Sequence, residues 1–239
     1  MPDTLEDFLQ SRPPTAERPL LGQTILVVED SRFASEAIRL LCLRSGARIR
    51  RADTLRSAAR HLCTYRPSIA IVDIGLPDGS GLELVAELAA AAPRVPVIIA
   101  TSGDDTAEGS ALAAGADGFL AKPVLNLASF QEIILSQLPE GTRPKGLRVV
   151  TNDDVVPDRI AYRDDLAHIA ELLEDTENAR VFSYALSFLA GVAKTADDQE
   201  LIAAVAELEA KHNSSEAIIG TLARVAGMIE ARLTQKEAV

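Results

Sequence analysis

A short apolar run in the first half of the chain, Ile69–Val72, ends in the carboxylate of Asp73 and is followed by a turn rich in glycine and proline, residues 74–79. A segment that is apolar on both faces is typical of a central strand in a parallel sheet with helices on each side. Such sheets bind ligands at the carboxyl ends of their strands, and the turn leaves the acid accessible there. The run therefore predicts an α/β sheet with a candidate site at one edge.

Strands and helices alternate along residues 23–139. Four further segments are predicted strands: Thr24–Val28, Ala47–Arg51, Val97–Ala100 and Gly118–Ala121. Each of the five strands is followed by apolar residues at helical spacing, which predicts helices over 31–44, 54–65, 81–92, 104–114 and 126–138. Because this alternation is typical of a doubly wound parallel sheet with helices on both faces, we predict an α/β domain with five strands.

The second half of the chain carries a different pattern. Residues 158–239 contain four stripes of apolar residues at spacings of three and four: Leu166, Ile169 and Leu173; Val181, Ala185, Phe188 and Val192; Leu201, Val205 and Leu208; and Ile218, Leu222, Val225 and Ile229. These stripes predict an all-α helical bundle. Residues 140–157 are interpreted as a linker, because the segment 139–157 contains three prolines and two glycines, and residues 1–22 are interpreted as an N-terminal extension.

Composition limits the function classes. A net charge of −11 makes nucleic acid or an anionic membrane a poor partner. The sequence has no apolar run near ~18 residues and no signal pattern, so we expect a cytoplasmic protein that does not associate with membranes. Cys42 and Cys63 fall in helices predicted to lie on opposite faces of the sheet, and we expect both thiols to be reduced.

Acidic side chains, a hydroxyl and a lysine are predicted to meet at the carboxyl edge of the sheet. These residues, each at the end of a predicted strand, are Glu29, Asp30, Asp73, Thr101 and Lys122. Carboxylate oxygens suit Mg²⁺, and a lysine can hold a phosphoryl oxygen. Asp73, at the centre, can act as a nucleophile toward phosphorus because its carboxylate has no proton to lose at pH 7. The residues predict a site that carries a phosphoryl group.

Residues from about Leu20 to Pro139 resemble the receiver domain of two-component response regulators. The resemblance is carried by five features in family order and spacing: Glu29-Asp30 after the first strand, Asp73 followed by Leu76-Pro77, Thr101 after the fourth strand, Phe119 in the fifth, and Lys122-Pro123. The resemblance implies a flavodoxin-like fold. It covers about half of the chain, and the helical half belongs to no family that its sequence identifies.

The resemblance also implies a role for each site residue. Asp73 is the expected phosphorylation site, with a histidine kinase or histidine phosphotransfer protein as the donor. Mg²⁺ is expected to be ligated by Asp30, Asp73 and the carbonyl of Gly75, with Glu29 acting through water. Thr101 and Lys122 are expected to contact the phosphoryl oxygens, and Phe119 to turn inward on activation, with Thr101 and Phe119 forming the switch. The Lys122-Pro123 bond is expected to be cis.

Two positions bear on how long the phosphoryl group survives. Gly75 and Gly103 lie two residues beyond Asp73 and Thr101, and neither has a side chain to shield the site from water. We therefore predict that autodephosphorylation is not slow for this family.

The helical half is interpreted as an effector or dimerisation domain without enzymatic activity. Residues 158–239 hold eight Lys or Arg and fifteen Asp or Glu, which argues against direct DNA binding and favours a protein partner or a homodimer. An alternative is a phosphorelay intermediate whose helical half is a divergent histidine phosphotransfer module, although neither His168 nor His212 has that family's flanking residues. A magnesium-dependent phosphatase is a further alternative, but it requires an acid where Gly75 stands.

Overall fold

The structure is a computed structural model that describes residues 13–145, 151–175, 178–214 and 216–235. Most of the predicted N-terminal extension, residues 1–12, and part of the predicted linker, residues 146–150, lie outside the described residues. The contacts divide the chain into two compact units. The first comprises residues 1–30 and Ser35–Val156, and the second comprises Ser31–Ala34 and Pro157–Val239.

The first unit contains the predicted five-stranded sheet. Its strands are β1 (Thr24–Val28), β2 (Arg48–Ala52), β3 (Ile69–Asp73), β4 (Val97–Ser102) and β5 (Gly118–Ala121). They lie in the order β2-β1-β3-β4-β5, and every neighbouring pair is parallel. A two-stranded hairpin, Gly75–Leu76 with Gly79–Ser80, follows β3. The central position of β3 explains its sequence, because all five of its residues are buried.

Five helices alternate with these strands: α1 (Arg32–Ser45), α2 (Leu55–Thr64), α3 (Gly81–Ala90), α4 (Glu108–Ala113) and α5 (Leu127–Gln137). Polar residues cap several of them. The side chains of Thr54, Ser80 and Asn126 accept hydrogen bonds from backbone N–H groups in the first turns of α2, α3 and α5. Apolar clusters cover both faces of the sheet, one of them centred on α1 and α5 and the other on α3. The doubly wound fold predicted from the alternation is confirmed.

The helix predicted over 104–114 is shorter than expected. Asp105–Ala107 forms a 3₁₀ turn, and the α-helix begins only at Glu108. Within α4 only Ala111 is buried, because the segment has few large apolar side chains to anchor it. Weak anchoring is a property of segments that move easily.

Residues 151–156, within the predicted linker, pack on the first unit. The Leu127 N–H donates to the Asp153 carbonyl and the Val155 N–H to the Leu125 carbonyl, each at 2.9 Å. Val155 is buried in the cluster that contains α1 and α5. This segment is therefore packed, unlike the exposed linker that its prolines and charges suggest. The sequence pattern does not reveal that Val155 is buried in the core.

Among the residues that the structure describes, the second unit contains four helices: α6 (Arg159–Leu173), α7 (Ala179–Thr195), α8 (Gln199–Asn213) and α9 (Ile219–Thr234). Their apolar stripes form a single cluster, in which α7 is the most buried helix. The predicted all-α bundle is confirmed. Segment 31–34 belongs to this unit because the carboxylate of Asp165 accepts hydrogen bonds from Ser31 Oγ and from the backbone N–H groups of Arg32 and Phe33, at 2.7–3.0 Å.

Two predictions about chemistry outside the site have outcomes in the structure. Cys42, buried in α1, and Cys63, exposed in α2, are both free thiols as predicted, and burial raises the pKa of the Cys42 thiol to about 12. Among the described residues, none of the helices combines the length and the apolar composition needed to span a bilayer.

Candidate functional site

The predicted site residues lie together at the carboxyl edge of the sheet. Glu29 directly follows β1, Asp73 ends β3, and Lys122 directly follows β5. Thr101 in β4 is the register partner of Asp73. Parallel pairing of all five strands places their carboxyl ends at one edge, so residues far apart in sequence converge there.

Lys122 is the centre of the charge network. Its Nζ lies 2.8 Å and 3.0 Å from the two carboxylate oxygens of Glu29 and 2.9 Å from Oδ2 of Asp73. The Lys122 side chain is only 9% exposed, and those of Glu29 and Asp73 are 1% and 7% exposed. The Lys122-Pro123 peptide that follows is cis, as predicted. One ammonium group therefore joins two buried carboxylates across the sheet edge.

Three carboxylates form a group that could hold a metal ion. Each of Glu29, Asp30 and Asp73 offers one oxygen, and these oxygens lie within 4.8 Å of one another. Opposite ligands of Mg²⁺ are about 4 Å apart, since each metal–oxygen distance is about 2 Å. Hard carboxylate donors at this separation fit Mg²⁺, and this is the one such group among the residues that the structure describes.

Burial and neighbouring charges shift the pKa values of the site. Burial, together with the carboxylates of Asp73 and Asp30, raises the pKa of Glu29 well above its usual value, although Lys122 opposes the change. Burial alone lowers the pKa of a lysine, but the carboxylates of Asp73, Glu29 and Asp30 outweigh it and raise the pKa of Lys122. The lysine stays charged, and the site has more negative charge than one lysine neutralises.

Thr101 and Phe119 lie close to this network in the register of the sheet. The Thr101 hydroxyl is fully buried and donates to the Leu120 carbonyl at 2.7 Å. Phe119 is half-buried, pairs with Ala100 in the sheet register, and packs at the edge of the apolar cluster on the α3 face. The two predicted switch residues therefore lie on β4 and β5, the strands that carry Thr101 and lead to Lys122.

Glycines shape the space around Asp73. A Cβ built at Gly75 or Gly103 meets nothing within 4 Å, so both positions are open. The predicted rate of autodephosphorylation stays a prediction.

Sequence reasoning missed the role of Gly81. A Cβ there would lie 1.9 Å from the Asp73 carbonyl oxygen, which forces glycine at the start of α3. The only sequence signal was a glycine at a predicted helix start, and that signal does not distinguish close packing from a turn.

Comparison with known proteins gives a consistent family. The family model for the response regulator receiver domain matches residues 25–134. The chain is 31% identical over 99 residues to the KDP operon transcriptional regulatory protein KdpE of Escherichia coli, an alignment that covers 41% of this chain and 44% of that protein. It is 34% identical over 102 residues to the virulence transcriptional regulatory protein PhoP of Salmonella typhimurium, covering 41% and 45%.

A solved structure titled as a CheY-like response regulator receiver domain from Methylobacillus flagellatus is 30% identical, with a TM-score of 0.44; the match covers 48% of this chain and 98% of that one. The chain spans less than half the length of KdpE and PhoP. Apart from residues 31–34, the residues that the family model matches belong to the first unit. Residues 25–134 of this chain are a response regulator receiver domain, joined here to a helical region of unidentified family.

Proposed function

We propose that this protein is a two-component response regulator that is phosphorylated on Asp73. The observation that carries the proposal is the Lys122 ammonium, held within 3.0 Å of carboxylate oxygens of both Asp73 and Glu29 at the strand edge. The phosphodonor is a histidine kinase or a histidine phosphotransfer protein. A carboxylate oxygen of Asp73 forms a bond to phosphorus as the phosphorus–nitrogen bond to the donor imidazole breaks, and the electron pair of that bond returns to the imidazole nitrogen.

The other site residues have distinct roles in this reaction. Mg²⁺, when bound, supplies positive charge that neutralises the incoming phosphoryl oxygens. Asp30, Asp73 and the Gly75 carbonyl are its proposed ligands, with Glu29 acting through water. Lys122 is placed to contact a second phosphoryl oxygen on leaving Glu29. Thr101 reaches the phosphoryl group by giving up its hydrogen bond to Leu120.

The proposed output is a protein–protein interaction of the helical unit. Phosphorylation replaces the single negative charge of the Asp73 carboxylate with about two on the phosphoryl group, and draws Thr101 and Phe119 toward the site. The weakly anchored α4 adjoins these strands in sequence, so its surface is the one expected to respond. The acidic helical unit serves dimerisation or a downstream protein partner, in the cytoplasm and without enzymatic activity of its own. KdpE and PhoP are transcriptional regulators, but each alignment covers only 41% of this chain.

A phosphodonor experiment tests the proposal. The full chain is incubated with acetyl phosphate and Mg²⁺, and intact mass is measured before and after. We expect one added phosphoryl group on the wild type, none on Asp73→Asn, and unchanged uptake on Asp78→Asn, a matched loss of an exposed acid on the same loop. Uptake by Asp73→Asn at the wild-type level, or none by the wild type, contradicts the proposal.

The phosphorelay alternative has one observation in its favour, since His168 on α6 is exposed. Its ring packs edge-on against Phe188, at a centroid separation of 6.1 Å. Peptide mapping after transfer from a phosphorylated donor separates the two functions. A phosphoryl label on Asp73 alone supports a response regulator that does not pass the phosphoryl group on to His168. A label that also appears on His168, and that is lost from His168 in Asp73→Asn, supports the phosphorelay intermediate.

A further inference from the structure

A cluster of arginines stands apart from the proposed phosphorylation site. Residues 48–66 contain six of the chain's arginines and one acidic residue, Asp53, in a protein whose net charge is −11. Five of the arginines come from the edge strand β2 and the helix α2 that follows it, and Arg66 lies two residues beyond the end of α2. A local excess of one charge sign on a chain of the opposite sign is a candidate binding surface.

Four of these arginines line a groove. The groove has a volume of about 690 Å³, and Arg48, Arg50, Arg60 and Arg66 form its basic wall. Arg48 and Arg50 are two residues apart on β2 and so lie on the same face of the strand. Arg51 lies on the opposite face and does not line the groove. The volume falls within the range of small-molecule sites, about 300–1,000 Å³.

The arginine side chains that line the groove have no acidic partner among the described residues. Among the residues that the structure describes, no carboxylate lies within ion-pair distance of any of the four arginines that line the groove. Guanidinium groups present forked N–H donors that match phosphate oxygens, and two or more of them together favour a multiply charged anion.

Hydroxyl groups complete the lining. Ser57 and Thr64 on α2 line the groove beside the arginines. Tyr65 also lines it, and its hydroxyl is shielded from solvent and has no hydrogen-bond partner among the described residues. The Tyr65 ring packs edge-on against His61, whose centroid is 5.7 Å away. The Tyr65 hydroxyl would donate a hydrogen bond to a phosphate oxygen in the groove, which would give it the partner that it lacks.

We propose that this groove binds a small molecule bearing two or more linked phosphates, either a nucleoside polyphosphate or an inorganic polyphosphate. Its limited volume favours a small ligand over an extended polymer, and the net charge of the chain repels nucleic acid. The site lies on β2 and α2, away from the residues that carry the proposed phosphorylation, and does not depend on that function.

Titration calorimetry on the full chain tests the proposal. Pyrophosphate, tripolyphosphate and ATP are titrated at low salt with a chelator and no Mg²⁺, using Asp73→Asn as the background so that the carboxylate site takes no part. We expect pyrophosphate to bind with a Kd below ~1 mM. Arg50→Gln should weaken binding about tenfold, whereas Arg51→Gln, which removes the same charge from the other face of β2, should weaken it less than about twofold. Tyr65→Phe should also weaken binding several-fold while keeping the ring.

The outcomes distinguish the ligand sources and the alternatives. Tighter binding of ATP than of tripolyphosphate identifies a nucleotide, and equal binding identifies the phosphate chain itself. Equal losses in Arg50→Gln and Arg51→Gln would show a diffuse charge effect and overturn the site. Absence of binding overturns it as well, leaving the arginines as a charged edge that prevents strand pairing. Preference for a DNA duplex over pyrophosphate also overturns it. Circular dichroism confirms that each variant is folded.

Discussion

The two units place their charged residues differently. In the first unit, Glu29, Asp73 and Lys122 are buried together where strands end. In the second unit, the ion pairs lie nearer the surface. Two of them join one helix to another: Arg232 on α9 pairs with the α8 cap Asp198, and Glu207 on α8 pairs with Arg224 on α9. The second unit buries aliphatic and aromatic stripes between its helices.

This difference separates a site from a scaffold. Buried carboxylates that outnumber the nearby cation oppose folding, so the first unit maintains its charge cluster at a cost in stability. The surface pairs of the second unit are each worth little, and its apolar core supplies the stability. Substitutions of matched chemistry in the two units should therefore have unequal or opposite effects.

The largest expected effect comes from removing the buried lysine. Lys122→Met keeps much of the side-chain volume but leaves Glu29 and Asp73 without their cation, and we expect the free energy of unfolding to fall by about 3 kcal/mol at pH 7. Lys211→Met in the second unit removes an i,i+4 pair with Glu207, whose side chains are about one-third exposed or more, and a hydrogen bond from Lys211 Nζ to Thr221 Oγ1, and it should cost clearly less than Lys122→Met. Urea denaturation followed by circular dichroism measures both.

The pH dependence of this pair of variants sharpens the test. Without Lys122 the pKa of Glu29, already raised by burial, has no cation to oppose the shift. The folded variant then binds protons that the unfolded chain does not, so its stability should rise as the pH falls from 7 toward 5. Hydrogen exchange should place the loss in the first unit. Equal costs for Lys122→Met and Lys211→Met contradict the comparison.

In a second pair of variants, the same glycine-to-alanine change is expected to destabilise the first unit and to stabilise the second. Gly81→Ala places a Cβ 1.9 Å from the Asp73 carbonyl oxygen, so α3 or β3 must shift, and we expect a loss of about 2 kcal/mol with slower phosphoryl uptake. Gly227→Ala, in the interior of α9, meets nothing within 4 Å and should stabilise the protein by about 0.5–1 kcal/mol. Thermal unfolding and the uptake assay measure the two effects. A stable, fully active Gly81→Ala protein would show that the close approach is not required.

Much of the first unit could be predicted from sequence because its signals are local. The run Ile69–Val72 and its flanking turn identify a central strand, and strand ends in a parallel sheet must meet at one edge. That rule alone brings Glu29, Asp73 and Lys122 together. The helical stripes of the second unit predict its four helices for the same reason, since an apolar period of 3.6 residues is visible without coordinates.

What sequence could not predict depends on contacts between distant residues. Nothing around Gly81 reveals that the Asp73 carbonyl lies against it. The proline-containing segment before Pro157 does not show that Val155 is buried, and no periodic pattern links Asp165 to segment 31–34, more than 130 residues away. Each of these requires the packing of two elements to be known, which local patterns do not specify.

The smallest predicted effect concerns Asp165, which brings segment 31–34 into the second unit. Its buried carboxylate accepts hydrogen bonds from Ser31 Oγ and from the backbone N–H groups of Arg32 and Phe33. Asp165→Asn replaces one oxygen with a donor, so at least one of these groups loses its acceptor, and we expect a cost of about 1 kcal/mol at pH 7. Asp164→Asn, which breaks only the exposed pair with Arg32, should cost less than about 0.5 kcal/mol.

The pH dependence of Asp165→Asn follows from burial. Burial raises the pKa of Asp165, although its three hydrogen bonds oppose the change, so the folded wild type binds a proton more readily than the unfolded chain. Its stability relative to Asp165→Asn should therefore increase as the pH falls from 7 toward the unfolded pKa of about 3.9. Urea denaturation at several pH values measures this difference, and hydrogen exchange at the Arg32 and Phe33 amides should quicken in Asp165→Asn but not in Asp164→Asn. Equal exchange in the two variants would mean that Asp165 does not hold the segment, and the charges of the second unit would then act only at its surface.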